Sequence, residues 1–264
     1  MFKGNLKCLI ILGILVTSLF LPTSLSAKSD PLLEEGVNAF QQGRWEVARE
    51  KFLKLSEEGP WKFAALYNLG NTALRQKHFG EALGFYKRAQ ALNPHDGDLL
   101  ANIKFVVDSS GFQSMASNKG NLELFRREVL NRFTFDEFLG AFLLLSIFFL
   151  GALFKYLKIA RLVEGRPPLN AFLPISAILF LSCFIMASLK LVDTYSDRGT
   201  IIIAKEDLRS GPNNQNASLL ELSEGLEVKV IDDSNGWRQV TYPNGVTGWI
   251  PESSIMITSG WGPW

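Results

Sequence analysis

Cysteine and histidine are nearly absent, with two of each in 264 residues. Cys8 and Cys183 lie in separate apolar runs, so an intramolecular disulfide is not expected. His78 falls at a turn between helices and His95 just after a helix, which leaves a Cys₂His₂-type zinc site and a Cys–His nucleophile pair without their parts. An excess of charge is missing too. Against 27 Lys and Arg stand 26 Asp and Glu, so no net field draws the chain to nucleic acid. The chain has no glycine-rich phosphate loop. Its paired carboxylates, Glu34-Glu35, Glu57-Glu58 and Asp232-Asp233, are adjacent in sequence, and neighbours on a helix point apart rather than forming an acid/base dyad. Asp96-Gly97-Asp98 is too short for a calcium loop and suits a helix cap. These absences predict no metal, no cofactor and no catalysis.

What is present is a repeat. At a spacing of 34 residues Gly36 recurs as Gly70, Trp45 as Phe79, Ala48 as Ala82, Phe52 as Tyr86 and Pro60 as Pro94. Small residues let paired helices approach, aromatics fill the space between them, and proline stops each second helix. This pattern resembles the tetratricopeptide repeat (TPR), a helix-turn-helix unit whose arrays present a concave groove to partner proteins. Repeat one spans 29–62, with helices predicted over Pro31–Gln42 and Trp45–Glu57 joined at Gly43. Repeat two spans 63–96, with helices over Trp61–Lys77 and Phe79–Leu92 joined at His78. Leu99, Leu100, Ile103 and Val107 continue at helical spacing and predict a capping helix over Asp96–Asp108, which closes a TPR domain at 29–108. Residues 109–135 read as a linker.

Two long apolar runs follow. Phe138–Phe154 holds 17 uncharged residues and Ala171–Leu189 holds 19, near the roughly 20 that a bilayer core requires of a helix. They predict a two-helix transmembrane hairpin at 136–191, with spans at about 138–157 and 171–190. Between them lie Lys155, Lys158, Arg161 and Arg166 against Glu164 alone, and a short basic loop marks the cytoplasmic face. Residues 1–27, with Lys3 and Lys7 ahead of an apolar stretch, have the layout of a secretory signal cut after Ala27 or, uncleaved, of an N-terminal anchor. Both signals predict that the flanking domains face the same extracytoplasmic space.

From 199 to 258 short β runs alternate with turns at Ser210-Gly-Pro, Ser234-Asn-Gly and Pro243-Asn-Gly. About 60 residues of this kind suggest a five-stranded barrel. Leu208-Arg-Ser-Gly-Pro212, Gly236-Trp237 and Gly248-Trp249-Ile250 resemble the motifs of the bacterial SH3 (SH3b) family. The tail, 259–264, carries two further tryptophans. The fold class is therefore multidomain: an all-α TPR solenoid, a transmembrane hairpin and a small all-β SH3-like barrel. That order of parts looks like the E member of the Bat (aerotolerance operon) proteins. The resemblance implies an envelope scaffold that assembles with von Willebrand A domain membrane proteins, in a role linked to stress tolerance. A cell-wall sensor, its barrel binding peptidoglycan peptides, is the alternative.

Candidate binding residues follow from the modules. Asn68 and Asn102 share a repeat position, Asn71 and Arg75 lie one turn apart, and Tyr67 is beside them. Amides of this kind can hold a peptide backbone and Arg75 a carboxylate, or they make solvated and intrahelical contacts instead. Leu33 and Val37 replace the polar residues that a chaperone-type TPR clamp needs in repeat one, so Leu33, Val37, Phe40 and Tyr67 offer an apolar groove as a further reading. In the barrel, Trp237, Trp249 and Tyr242 form a candidate ligand face, with core packing as the other role for the tryptophans.

Overall fold

The computed structural model describes residues 30–110, 121–162, 171–242 and 245–260. The signal or anchor segment, Arg166 and Glu164 of the basic loop, and Trp261 and Trp264 lie outside them.

Five helices build the solenoid: α1 (Pro31–Gln41), α2 (Trp45–Ser56), α3 (Lys62–Arg75), α4 (Phe79–Leu92) and α5 (Gly97–Ser110). The repeat is visible atom by atom. A Cβ on Gly36 would run into the Phe52 ring, and one on Gly70 would run into Tyr86, one repeat later. Ala48 and Ala82 are both fully buried, where only a methyl fits between helices. Each repeat also turns on a left-handed residue, Gly43 at φ 72° and Lys77 at φ 63°. At the first turn the N–H groups of Gly43 and Arg44 donate to Phe40 and Ala39, and at the second Lys77 and His78 donate to Leu74 and Ala73. The second turn thus pivots on Lys77, not on His78, which precedes the next helix with φ −86° and ψ 77°. Asp96 caps α5 by accepting from the Leu99 N–H at 2.8 Å.

The expected linker is partly helical. Within 109–135 the structure has α6 (Asn121–Glu128) and a 3₁₀ turn, Leu130–Arg132. Arg126 of α6 is only 7% exposed and Leu130 only 5%, so this segment packs rather than spans. The charged residues of this segment, among them the buried Arg126 itself, hid the helix in the sequence.

Two long helices form the hairpin, α7 (Phe135–Leu162) and α8 (Phe172–Thr194), both long and apolar enough to cross a membrane. They run antiparallel, with Phe142 packed between Phe180 and Phe184, and Lys190 of α8 donating to the Leu130 carbonyl just ahead of α7. Their outer surfaces stay uncovered by protein, with Phe154 72% and Ile178 67% exposed. Ser146, Ser182 and Ser188 bond back to carbonyls of their own helices, which satisfies their hydroxyls without a partner from outside the helix. α7 continues to Leu162, so Lys155, Lys158 and Arg161 sit on its last turns rather than in a loop. Thr134 and Glu137 start α7 with reciprocal bonds: the Thr134 N–H donates to the Glu137 carboxylate at 2.7 Å, and the Glu137 N–H to the Thr134 hydroxyl at 3.2 Å. Phe133 and Phe138 pack edge to face across this capping box as a hydrophobic staple.

The C-terminal part is all-β. Its strands are β1 (Arg198–Ile201), β2 (Lys205–Arg209), β3 (Ser218–Ser223), β4 (Glu227–Ser234), β5 (Trp237–Thr241), β6 (Thr247–Pro251) and β7 (Ile255–Ser259). They make one antiparallel sheet in the order β3-β2-β6-β5-β4-β1-β7. Seven strands replace the five expected. The β4–β5 hairpin turns on Asn235 (φ 50°) and Gly236 (φ 80°), where Asn and Gly tolerate the left-handed region best. Ile201, Leu208, Leu222, Val228, Val240 and Ile250 fill the core.

Residues from Leu32 onward form one compact unit in which the barrel docks on the solenoid. The edge strand β7, the end of β1 and the β3–β4 turn lie against α4, and two glycines of α4 allow it: a Cβ on Gly80 would meet Glu224 and the Ile201 carbonyl, and one on Gly84 would meet Met256 of β7. The Glu224 carboxylate accepts the Gly80 N–H at 2.5 Å, placing negative charge at the α4 N-terminus, where the helix dipole favours it. Arg88 donates to the Ile257 carbonyl at 2.6 Å and so occupies an acceptor on an otherwise open edge.

Candidate functional site

Three of the TPR candidates, Tyr67, Asn71 and Asn102, meet in one ladder between α3 and α5. The Asn102 side-chain amide donates to the Tyr67 hydroxyl and to the Asn71 carbonyl oxygen, both at 3.1 Å. That same Asn71 oxygen accepts the Tyr86 hydroxyl at 2.7 Å. Tyr86 is fully buried, and its phenol must therefore find a partner inside the domain. Burial, and then the neighbouring Tyr67, push the Tyr86 pKa well above the usual phenol range, so it remains a donor at any physiological pH. Tyr86 is the residue that sequence reasoning passed over. The available signal was the change from Phe52 to Tyr86 at one repeat position, which adds a hydroxyl to an otherwise apolar site.

Asn68 stands apart from this ladder. Its amide donates to the Ala64 carbonyl at 2.9 Å within α3. Arg75 is exposed near Tyr86, and no ion pair engages it among the described residues. Leu33, Val37, Phe40 and Tyr67 are half-buried and pack against the solenoid core. On the far side of the repeats Arg49 bonds Glu81 at 2.7 Å and lies 5.6 Å above the Phe85 ring, which ties α2 to α4. The half-buried ladder and exposed Arg75 provide amide, hydroxyl and guanidinium groups along the first helices of the repeats.

The barrel separates its three candidate residues. Val240 and Ile250 face the core, and the β5–β6 register sets Trp249 opposite Gln239 and Trp237 opposite Pro251 on the other face. Trp237 and Trp249 are thus half-buried on the outer surface, whereas Tyr242 packs against the core. Arg209, paired in register with Trp249, joins that outer face. Its guanidinium bonds the carbonyls of Asn214 and Asn216 at 3.0 and 3.1 Å and the Asp207 carboxylate at 3.0 Å, pinning the loop after β2. Gly248 permits this crossing, because a Cβ there would meet the Arg209 carbonyl and the Leu208 side chain. The outer face therefore pairs two indoles with a fixed, polar loop, an arrangement that can stack on and hydrogen-bond a small polar ligand.

Charged groups concentrate where solenoid, hairpin and barrel meet. Arg126 pairs with Glu227 of β4 and lies 4.0 Å from Asp193 of α8, which Arg198 approaches at 3.7 Å. Burial would raise the Glu227 carboxyl, but the charges of Arg126, Lys87 and Arg198 outweigh it and hold the pKa down to about 2. Burial also lowers the Arg88 guanidinium to about 10, which leaves it protonated near neutrality. Among the described residues no cluster of His, Cys, Asp and Glu could hold a metal.

Residues 33–97 match the family model described as tetratricopeptide repeat. Residues 207–256 match that of the bacterial SH3 domain. No curated protein matches the chain. The chain thus joins two binding modules, of kinds that engage proteins or peptidoglycan, to a pair of apolar helices.

Proposed function

We propose that this protein is a membrane-anchored envelope scaffold that gathers partner proteins through its TPR and SH3b modules. The observation that carries the reading is the docking of the barrel on α4. Both modules sit at one end of an antiparallel apolar hairpin, with the α3–α5 ladder and the Trp237–Trp249 face left uncovered. A hairpin whose outer residues are exposed needs an apolar solvent, and a bilayer supplies one. Lys155, Lys158 and Arg161 at the opposite end support a cytoplasmic position for that end and a periplasmic one for the modules, with the inner membrane between. The order of parts supports a Bat-type complex with von Willebrand A domain membrane proteins as the partner class. Reporter fusions at residue 120, residue 163 and the C-terminus test the topology. The two outer fusions should report the periplasm and the middle one the cytoplasm. Capture with the full chain in detergent should then recover specific membrane proteins, and an Asn71→Ala or Arg75→Ala chain should lose them.

A second reading has its own observation. Two indoles beside a pinned polar loop suit peptidoglycan stem peptides, which would make the protein a cell-wall sensor. Sedimentation of the full chain with purified wall separates the readings, because the scaffold reading predicts no binding that depends on Trp237 and Trp249.

A further inference from the structure

Tyr86 decides which way an amide of the TPR groove points. It is fully buried, and its hydroxyl donates to the Asn71 side-chain oxygen at 2.7 Å. The Asn102 amide donates to that same oxygen at 3.1 Å. Both lone pairs are then in use, and the Asn71 NH₂ is turned away from the two donors, without a partner among the described residues. Turning Asn71 over would set its NH₂ against the Asn102 NH₂ and take this acceptor from a buried hydroxyl. Repeat one has no such device, because Phe52 stands where repeat two has Tyr86.

The consequence lies in the groove. Arg75, one turn beyond Asn71 on α3, is exposed, engages no ion pair among the described residues and lies close enough for its charge to act on the Tyr86 phenol. The Tyr67 hydroxyl accepts from Asn102 at 3.1 Å, which leaves its own hydrogen to give. Amide, guanidinium and hydroxyl donors thus stand together on α3. Phe105, three residues past Asn102 on α5 and 56% exposed, adds an apolar contact on the same side of that helix. The exposed carboxylate of α5, Asp98, lies one turn before Asn102, toward the end of the ladder away from Arg75. We propose that Tyr86 is a positioning residue: by holding Asn71 it keeps an amide donor beside Arg75, and so sets a preference for an extended partner segment with a carboxylate next to an apolar side chain. The proposal rests on the reading that this groove receives partner proteins, and it names their chemistry.

The test uses the full chain in neutral detergent and fluorescence anisotropy with two labelled peptides, one repeating Gly-Glu-Leu-Ser and the other Gly-Gln-Leu-Ser. The wild type should bind the Glu peptide about tenfold tighter, the step from a neutral to a charge-assisted hydrogen bond. Arg75→Gln should remove that preference, and Phe105→Ala should weaken both peptides alike. Tyr86→Phe installs the repeat-one residue and keeps the ring, so the solenoid should fold. It leaves Asn71 able to turn either way, and the ratio should narrow to about threefold. The ratio decides, because a change in packing alone would weaken both peptides together. Asn71→Asp, which puts an oxygen where the NH₂ stands, should invert the ratio and serves if Tyr86→Phe fails to fold. An unchanged ratio in Tyr86→Phe or in Asn71→Asp, beside a lost preference in Arg75→Gln, would overturn the positioning role and leave the groove reading intact. Binding indifferent to both Arg75→Gln and Phe105→Ala would mean that the peptides sit elsewhere, and the groove reading would fail with the proposal. Equal affinity of the wild type for the two peptides, or none for either, would overturn the carboxylate preference.

Discussion

Replacing Glu227 by Gln tests the charged junction directly. In the folded chain the carboxylate meets Arg126, with Lys87 and Arg198 nearby, and its pKa falls from an ordinary 4.5 to about 2. At about 1.4 kcal/mol per pH decade, that difference is worth about 3 kcal/mol of stability at neutral pH. The side chain is 25% exposed, shielded enough for solvent screening to leave most of that value. The sign follows from linkage. A carboxyl whose folded pKa is depressed contributes fully above its unfolded pKa, and the contribution disappears as pH falls through the folded one. Hydrogen exchange of the β4 amides, as the ratio of variant to wild type at each pH, removes the intrinsic pH dependence of exchange. The ratio should reach a few hundredfold at pH 7, fall to about tenfold at pH 3 and approach unity near pH 2. A ratio that stays flat across this range would show that Glu227 acts through shape and not charge. No change at pH 7 would refute the junction's energetic role.

Two neighbouring substitutions in the second repeat should have opposite signs. Gly70→Ala gains about 1 kcal/mol of helix propensity, but its Cβ drives into a fully buried Tyr86 ring held by Asn71, and overpacking of that kind costs about 1–3 kcal/mol. Urea denaturation should show net loss. Lys77→Gly relieves a left-handed residue and should raise the midpoint by the equivalent of about 1 kcal/mol. At the start of α7, Thr134→Ala removes half of the capping box and should cost about 1 kcal/mol, read as faster exchange of the Phe135 to Glu137 amides with the rest of the helix unchanged.

The legible parts of this chain are those where one physical requirement repeats. Gly36 and Gly70 each face a ring because two helices must approach closely, so a spacing of 34 residues was enough to read the solenoid. The apolar helices were legible because length and composition alone define them. Other features depend on partners distant in sequence. Asn102 meets Asn71 and Tyr67, not the Asn68 that shares its repeat position, because the register between α3 and α5 is set by packing. Tyr242 and Trp237 are five residues apart, and that odd spacing puts them on opposite sides of the sheet. The capping box at Thr134-Phe-Asp-Glu137 is present as a motif, but it adjoins the apolar run that begins at Phe138 and merges with it. The docking of barrel on solenoid had no sequence signal except Gly80 and Gly84, which look like any other small positions of a repeat.

Those two glycines distinguish a built interface from a chance one. Ala at either position gains about 1 kcal/mol of helix propensity, so an α4 facing solvent would be stabilised equally by both changes. At Gly84 the new methyl meets the thioether of Met256, a flexible chain that can swing aside. At Gly80 it meets the Ile201 carbonyl at 2.9 Å, which is backbone, and the Glu224 side chain that bonds the Gly80 N–H. The barrel can then keep its place only by moving as a body. Oxidation of Met256 by peroxide, followed by peptide mass, reads that movement, because Met256 packs against the solenoid core when docked. Gly80→Ala should speed it several-fold and Gly84→Ala much less. The reverse order, or equal protection in both variants, would mean that the modules touch without being fitted to one another, and a scaffold with fixed spacing between its two binding faces would lose its structural basis.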